Sequence, residues 1–274
     1  MLNIVKEEKK NFVLFSSQLN KNVKLEKDLL VPFLYGENIK RYEKPENKAL
    51  LLFPYQLDGN SYKLIPLKNL KTECPLTYEY LKSVKDVLIK RKIPLSHEDY
   101  CKYSASRSLN EYKKPKIMIP DMLVKNRVSY EEKGVFFHGP AIHSVIFNDK
   151  VREQNEFLYL AILNSNLFWF FICNTSTALR GNAYRLTPEF LNPFCFPEIN
   201  LKDTKQKQIH DNLVALVDVM LDLNKKIQTA KGSQKDQIQR QIEKTDKEID
   251  EIVYKLYGIT EDAKKIIEGK RKEE

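Results

Sequence analysis

The chain has 274 residues, enough for one large domain or two ordinary ones, each with its own core. A hydrophobic share of 42% excludes a disordered chain, and four scattered cysteines with no CxxC pair exclude a zinc knuckle or a secreted disulfide framework. The net charge of +9 favours an acidic partner such as nucleic acid or an anionic membrane. The excess is local: residues 201–274 carry 16 Lys+Arg against 15 Asp+Glu, and residues 1–200 carry 30 against 22.

No secretory leader pattern is present: Met1-Leu-Asn-Ile-Val runs straight into KEEKK, and a reducing, cytoplasmic setting is expected. Residues 12–15 and 29–35 read as short strands or loops. In FLYGENIKRY (33–42), Gly36 suits a tight turn and Glu37-Asn38 the start of a short helical turn. Lys40, Arg41 and Tyr42 then fan outward, because adjacent helical positions do not share a face. Such a fan suits a phosphate backbone, and equally a solvated surface.

Residues 48–67 read as a hairpin turning at Asp58-Gly59-Asn60, and residues 74–92 as a helix. Arg91 is expected to cap the end of that helix. KPKIMIP (114–120) reads as a buried strand closed by Pro120, and residues 134–148 as a second hairpin turning at Gly139-Pro140. Residues 153–173 predict an apolar helix interrupted at Asn164-Ser165-Asn166, too short for a membrane span and expected to be buried, aromatics included. Residues 175–191 read as a polar loop.

After Pro197 the pattern changes. Ile209, Leu213, Leu216, Met220, Leu223 and Ile227 recur at alternating spacings of four and three. After TAKGSQ the same spacing returns at Ile238, Ile242, Thr245, Ile249, Ile252 and Leu256. Two such helices predict an antiparallel hairpin with facing, coiled-coil-like seams, closed by Gly258.

No phosphate-binding GxxxxGK[ST] or GxGxxG motif occurs, and His97, His138, His143 and His210 are scattered, although His138 and His143 would approach across the second hairpin. Pro120-Asp121 followed by Glu131-Glu132-Lys133 fits a loose nuclease pattern, in which two carboxylates hold a divalent metal and a lysine positions water. The same residues read as an ordinary charged turn.

The series of segments resembles the target-recognition region of TaqI-like and Eco57I-like restriction–modification enzymes. LLVPFLYGENIKRY is similar to that family's PFLRGRDIKRY, with Tyr35 and Asn38 replacing Arg and Asp. CPLTYEYLKSVKDVLIKR is similar to its YPxxYxYLKxxKxxLxxR helix, and KKPKIMIPDM to its KPKIxxPxI strand. LYLAILNSNLFWFF and the ending IEKTDKEIDEIVYKLYGITEDAKKIIEG continue the family order.

The resemblance implies an α+β architecture: a mixed α/β target-recognition domain over residues 1–200, then the antiparallel helical hairpin over 201–274. It implies the specificity portion of an adenine-specific, S-adenosylmethionine-dependent DNA methyltransferase, with or without a fused endonuclease. The cofactor loop and the NPPY-type motif that grips a flipped adenine belong to a methyltransferase domain and do not occur in this sequence. No cofactor, metal or catalytic residue is therefore expected here. The expected partners are double-stranded DNA and that methyltransferase domain, which the near-neutral hairpin would brace.

Reading a duplex needs Arg or Lys for guanine, Asn or Gln for adenine, and cations for phosphate. Four clusters offer them: Lys40-Arg41; Tyr103, Arg107 and Lys113; Lys125-Asn126-Arg127; and Arg180, Asn182 and Arg185 around Gly181. The competing expectations are a metal-dependent endonuclease using Asp121, Glu131 and Lys133, and a helical scaffold whose charge is incidental.

Overall fold

The computed structural model describes residues 2–91, 99–104, 109–152 and 155–269. The first strands are β1 (Leu2–Glu7), β2 (Asn11–Ser16), β3 (Lys21–Glu26), β4 (Leu30–Leu34), β5 (Ala49–Leu52), β6 (Tyr55–Asp58) and β7 (Ser61–Leu64). Helices α1 (Leu67–Glu73), α2 (Pro75–Ser83) and α3 (Lys85–Ile89) follow, then strands β8 (Lys116–Pro120), β9 (Met122–Leu123), β10 (Ser129–Glu131), β11 (Phe137–His138) and β12 (Ile142–Val145). Next come α4 (Asp149–Arg152), α5 (Glu156–Asn164), α6 (Asn166–Thr175), β13 (Ala178–Leu179), β14 (Ala183–Arg185) and α7 (Pro188–Leu191). The chain closes with α8 (Thr204–Ile227), α9 (Gly232–Leu256) and α10 (Glu261–Gly269). Helices and sheets segregate along the chain, and the fold is α+β, as expected.

By compactness the chain forms two interleaved units. The first is 1–34, 46–114 and 133–138; the second is 35–45, 115–132 and 139–274. This division differs from the expected boundary at residue 200: the helical hairpin shares its unit with residues 139–200.

In the first unit a six-stranded sheet runs β11-β4-β5-β1-β2-β3. Side chains alternate between the faces of a strand, so one face of the meander gathers Leu2, Leu14, Leu25 and Leu50 into a core. A second cluster, Leu29, Ile65, Leu70, Leu81, Tyr100 and Cys101, packs beside the helices. The helix expected over 74–92 is broken at Val84 into α2 and α3. Pro75 opens α2 with its φ already set. The carboxylate of Glu26, at the end of β3, accepts from the backbone N–H groups of Leu76 and Thr77 at 2.9 Å each. A carboxylate there meets both the orphan donors and the positive end of the helix dipole. Arg91 closes the helical run as expected, its Nε donating to the Leu88 carbonyl at 2.9 Å.

In the second unit the strand expected over 114–120 is present and buried throughout (β8), flanked by β10 and β12. The hairpin expected over 134–148 does not form: β11 pairs in parallel with β4, whereas β12 pairs with β8. The apolar segment splits at Ser165 into α5 and α6, bent by 59°, because the Ser165 hydroxyl caps a new helix by accepting from Phe168 N–H. No single helix among the described residues is long and apolar enough to cross a membrane. The aromatics here behave as expected of a core: Phe168 is wholly buried, and Trp169 and Phe171 pack against the cluster.

The expected hairpin of α8 and α9 is present. Asp203 caps α8 by accepting from Lys205 and Gln206 N–H, each at 2.9 Å, and Gly258 (φ +63°) ends α9. The seam is wider than the two predicted rows. Val217 and Val253 are buried beside Leu213, Met220 and Ile249, and α8 also packs on α5.

Candidate nucleic-acid interface

The segment expected to be a polar loop at 175–191 instead forms an antiparallel hairpin, β13–β14, whose second strand pairs with β9. Arg180, Gly181 and Asn182 make its turn, with Gly181 at φ +77° and Asn182 at φ +55°. Glycine adopts that left-handed conformation freely, and asparagine tolerates it better than most residues. Tyr184 and Leu186 face inward: Leu186 is fully buried and Tyr184 meets Trp169 edge-on at 5.5 Å. Arg185 between them is therefore forced outward, with 52% of its side chain exposed. Met122 is its direct partner across the ladder, so the two share a face, and Met122 is 53% exposed.

This small sheet joins two of the four predicted clusters, since Lys125-Asn126-Arg127 follows β9 after one residue, Val124. Lys125 and Arg180 are exposed, as is Asn182. Arg127 folds back, Nη2 donating to the Met122 carbonyl at 3.2 Å. Asn126 is turned inward, donating to the Ser165 carbonyl at 2.5 Å, which removes its amide from any reading role. At the edge of the sheet Asp121 is fixed by its own backbone: its N–H donates to the Ala141 carbonyl at 2.9 Å, and its carbonyl accepts from Leu186 N–H at 2.7 Å. Its Oδ2 lies 3.8 Å from Arg185 Nε, and its Oδ1 lies 3.4 Å from His143 Nε2.

The stretch FLYGENIKRY forms the expected short helical turn, but its outward fan holds only at Lys40. A 3-10 turn forms at Gly36–Asn38, with Asn38 Oδ1 accepting from Tyr35 N–H at 2.8 Å. Arg41 then points inward and not toward a ligand. Its Nη1 and Nη2 donate to the two Asp246 carboxylate oxygens at 2.7 and 2.5 Å, and Nη2 also donates to the Asn164 carbonyl at 2.6 Å. Burial is the largest single influence and opposes the Arg41 charge, but the Asp246 hydrogen bonds and the electrostatics of Tyr42, Asp246 and Asp250 together outweigh it, and the guanidinium pKa is raised. Asn164 meanwhile exchanges two 3.0 Å hydrogen bonds with the backbone of Val128, and Asp250 accepts from Asn166 N–H at 2.8 Å at the start of α6. Tyr42 is buried at φ +54°. Lys40 stays exposed beside Glu43, at 3.6 Å.

Residues 31–195 match the family described as the TaqI-like C-terminal specificity domain. The chain belongs to that family. It is 24% identical over 250 residues to a type II restriction enzyme and methyltransferase of Escherichia coli, RM.Eco57I; the match covers 86% of this chain and 25% of that protein. The chain thus spans about a quarter of that relative's length. The crystal structure of the type IIG restriction endonuclease BpuSI overlaps 84% of this chain and 26% of its own, with a TM-score of 0.42 and 14% identity.

The other predicted residues of this specificity domain are placed as follows. Tyr103 belongs to a core: its hydroxyl donates to the Leu52 carbonyl at 2.5 Å, its N–H donates to Tyr55 Oη at 2.7 Å, and burial raises its pKa. That commitment removes it from a DNA-facing role. Lys113 is exposed, with Nζ 5.7 Å from the Phe137 ring. Arg107 and His97 lie outside the described residues.

The nuclease trio is not assembled in the way that reading needs. Glu131 is buried against Lys116 Nζ at 2.9 Å, and Asp121 faces His143 and Arg185. Among the described residues no three His, Cys, Asp or Glu side chains are arranged to hold a metal ion.

Residue-by-residue reading missed Asp246, Asp250, Asn164 and the pairing of Asp121 with Arg185. The first two had a signal: acids four apart on α9, one turn apart on one face and beside the apolar seam, are expected to be buried with partners.

Proposed function

We propose that this specificity domain reads double-stranded DNA for an adenine-specific, S-adenosylmethionine-dependent DNA methyltransferase of a restriction–modification system, acting in the cytoplasm where its DNA lies. The observation that carries the reading is the β13–β14–β9 sheet. It presents Arg180, Asn182 and Arg185 on a hairpin beside Lys125, with Arg185 directed to solvent by the strand's alternation. Arginine and lysine at the edge of a rigid element can reach base edges in the major groove and phosphates beside it. Lys40 is a further exposed cation for phosphate.

On this reading the methyltransferase portion of the parent protein supplies S-adenosylmethionine, the chemistry and the pocket for the flipped adenine. This chain supplies sequence choice. The α8–α9 hairpin, clamped to the recognition elements by Arg41 and Asp246, braces that partner domain.

The test is binding of the full chain to duplex DNA across a salt series. Each phosphate contact contributes nearly one unit to the slope of log affinity against log salt. Arg180→Ala with Arg185→Ala should weaken binding and reduce that slope by about one unit. An unchanged slope and affinity would refute this surface.

A further inference from the structure

We propose that Asp121 is a positioning residue that holds Arg185 for one particular base, guanine. The inference rests on the DNA-reading function proposed above and names what that surface reads.

The backbone of Arg185 is fixed on both sides. Its N–H donates to the Thr177 carbonyl at 3.1 Å, its carbonyl accepts from the Ser176 hydroxyl, and the next N–H, of Leu186, donates to the Asp121 carbonyl at 2.7 Å. The side chain is oriented as well. Asp121 Oδ2 approaches Nε, the inner nitrogen of the guanidinium, at 3.8 Å. His143 takes the other carboxylate oxygen at 3.4 Å, so the carboxylate is held from two directions.

With the carboxylate nearest Nε, the two outer nitrogens are left as a planar pair of donors for a ligand. That fork matches the O6 and N7 acceptors of guanine in the major groove, and adenine presents a donor where guanine presents O6. Lysine offers no such planar pair. The carboxylate does a second thing: it repels phosphate, so Arg185 is steered away from the backbone, which carries no sequence information. Asp121 has no contact of its own to make with DNA. Its effect acts through the arginine it faces. The pair is half exposed on the arginine side and longer than a hydrogen bond, so it contributes little to folding, and Asp121→Asn, which keeps the backbone hydrogen bonds, should fold normally.

The experiment is selection of bound duplexes from a randomised pool by the full chain, with non-specific affinity measured in parallel on a fixed unrelated duplex. The unaltered chain is expected to select guanine at one position, by roughly five- to hundredfold over other bases. Arg185→Lys, which keeps the charge but not the planar fork, should abolish that preference. Asp121→Asn should reduce it while leaving non-specific affinity equal or higher, an outcome that a merely structural role would not produce. If guanine is still selected after both substitutions, the inference is wrong and the DNA-reading function stands. If the unaltered chain selects no sequence at all, the reading surface itself is refuted and this inference falls with it.

Discussion

Arg41 and Asp246, 205 positions apart, meet as a two-pronged ion pair that ties the loop at 35–45 to the last long helix. Asp246 is 11% exposed and Arg41 26% at their side chains. Removing either partner strands a charge in a largely dry setting, which costs about 3–5 kcal/mol. Arg41→Ala and Asp246→Ala should each lower stability toward urea by that order, and the double variant should cost much less than their sum. DNA-binding salt slopes should not change. Additive costs, or a flatter slope in Arg41→Ala, would show that Arg41 works elsewhere.

Gly134 sits at φ +62°, and a Cβ built there would lie 2.0 Å from the Lys113 carbonyl oxygen. The left-handed conformation alone costs a non-glycine residue about 1 kcal/mol, and here backbone must also move. Gly134→Ala is therefore expected to destabilise by roughly 3 kcal/mol or more. Gly59→Ala, where nothing lies within 4 Å, should cost only the conformational part. Equal unfolding midpoints for the two variants would contradict the clash.

Burial raises the pKa of Tyr42, Tyr103, Tyr254 and Tyr257 above the ordinary 10.0. The folded chain therefore keeps these phenol protons at pH values where the unfolded chain has lost them. Their stabilising contribution is complete below pH 10 and is lost as pH rises above it. Alkaline titration should show exposed tyrosines ionising first, followed by a cooperative rise in tyrosinate absorbance that coincides with loss of helical circular dichroism. Smooth titration of all fourteen tyrosines with the fold intact would contradict this burial.

Cys101 is buried and its thiol pKa is raised, chiefly by that burial, whereas Cys195 is exposed. Alkylation proceeds through the thiolate. Peptide mass spectrometry after brief iodoacetamide treatment at neutral pH should find Cys195 modified and Cys101 protected, with Cys101 reacting at the rate of global opening. Equal modification would place Cys101 at the surface.

The helical hairpin was legible because its seam repeats at spacings only two facing helices satisfy, and β8 because an apolar run closed by proline admits few alternatives. Elements whose partners lie far away in sequence were not. The 134–148 segment looks like a hairpin locally, yet Phe137 and Ile142 bond to different sheets. The 175–191 segment looks like a loop because its strands are two and three residues long and the second pairs with β9, some sixty positions earlier. For the candidate site, composition supplies residue types but not which way they face. Arg41 and Arg185 are equally basic in sequence; a buried aspartate claims the first, and strand alternation exposes the second.

The chain crosses between its two compact units after residues 34, 45, 114, 132 and 138. Exchange of sequence choice between relatives by a single genetic crossover inside this region would thus join fragments of two cores, neither of them whole. A cut at residue 200 fares no better, since it parts Arg41 from Asp246 and α5 from α8. If the β13–β14 hairpin reads DNA as proposed, new specificities are more readily reached by altering its few side chains, or by trading the region entire.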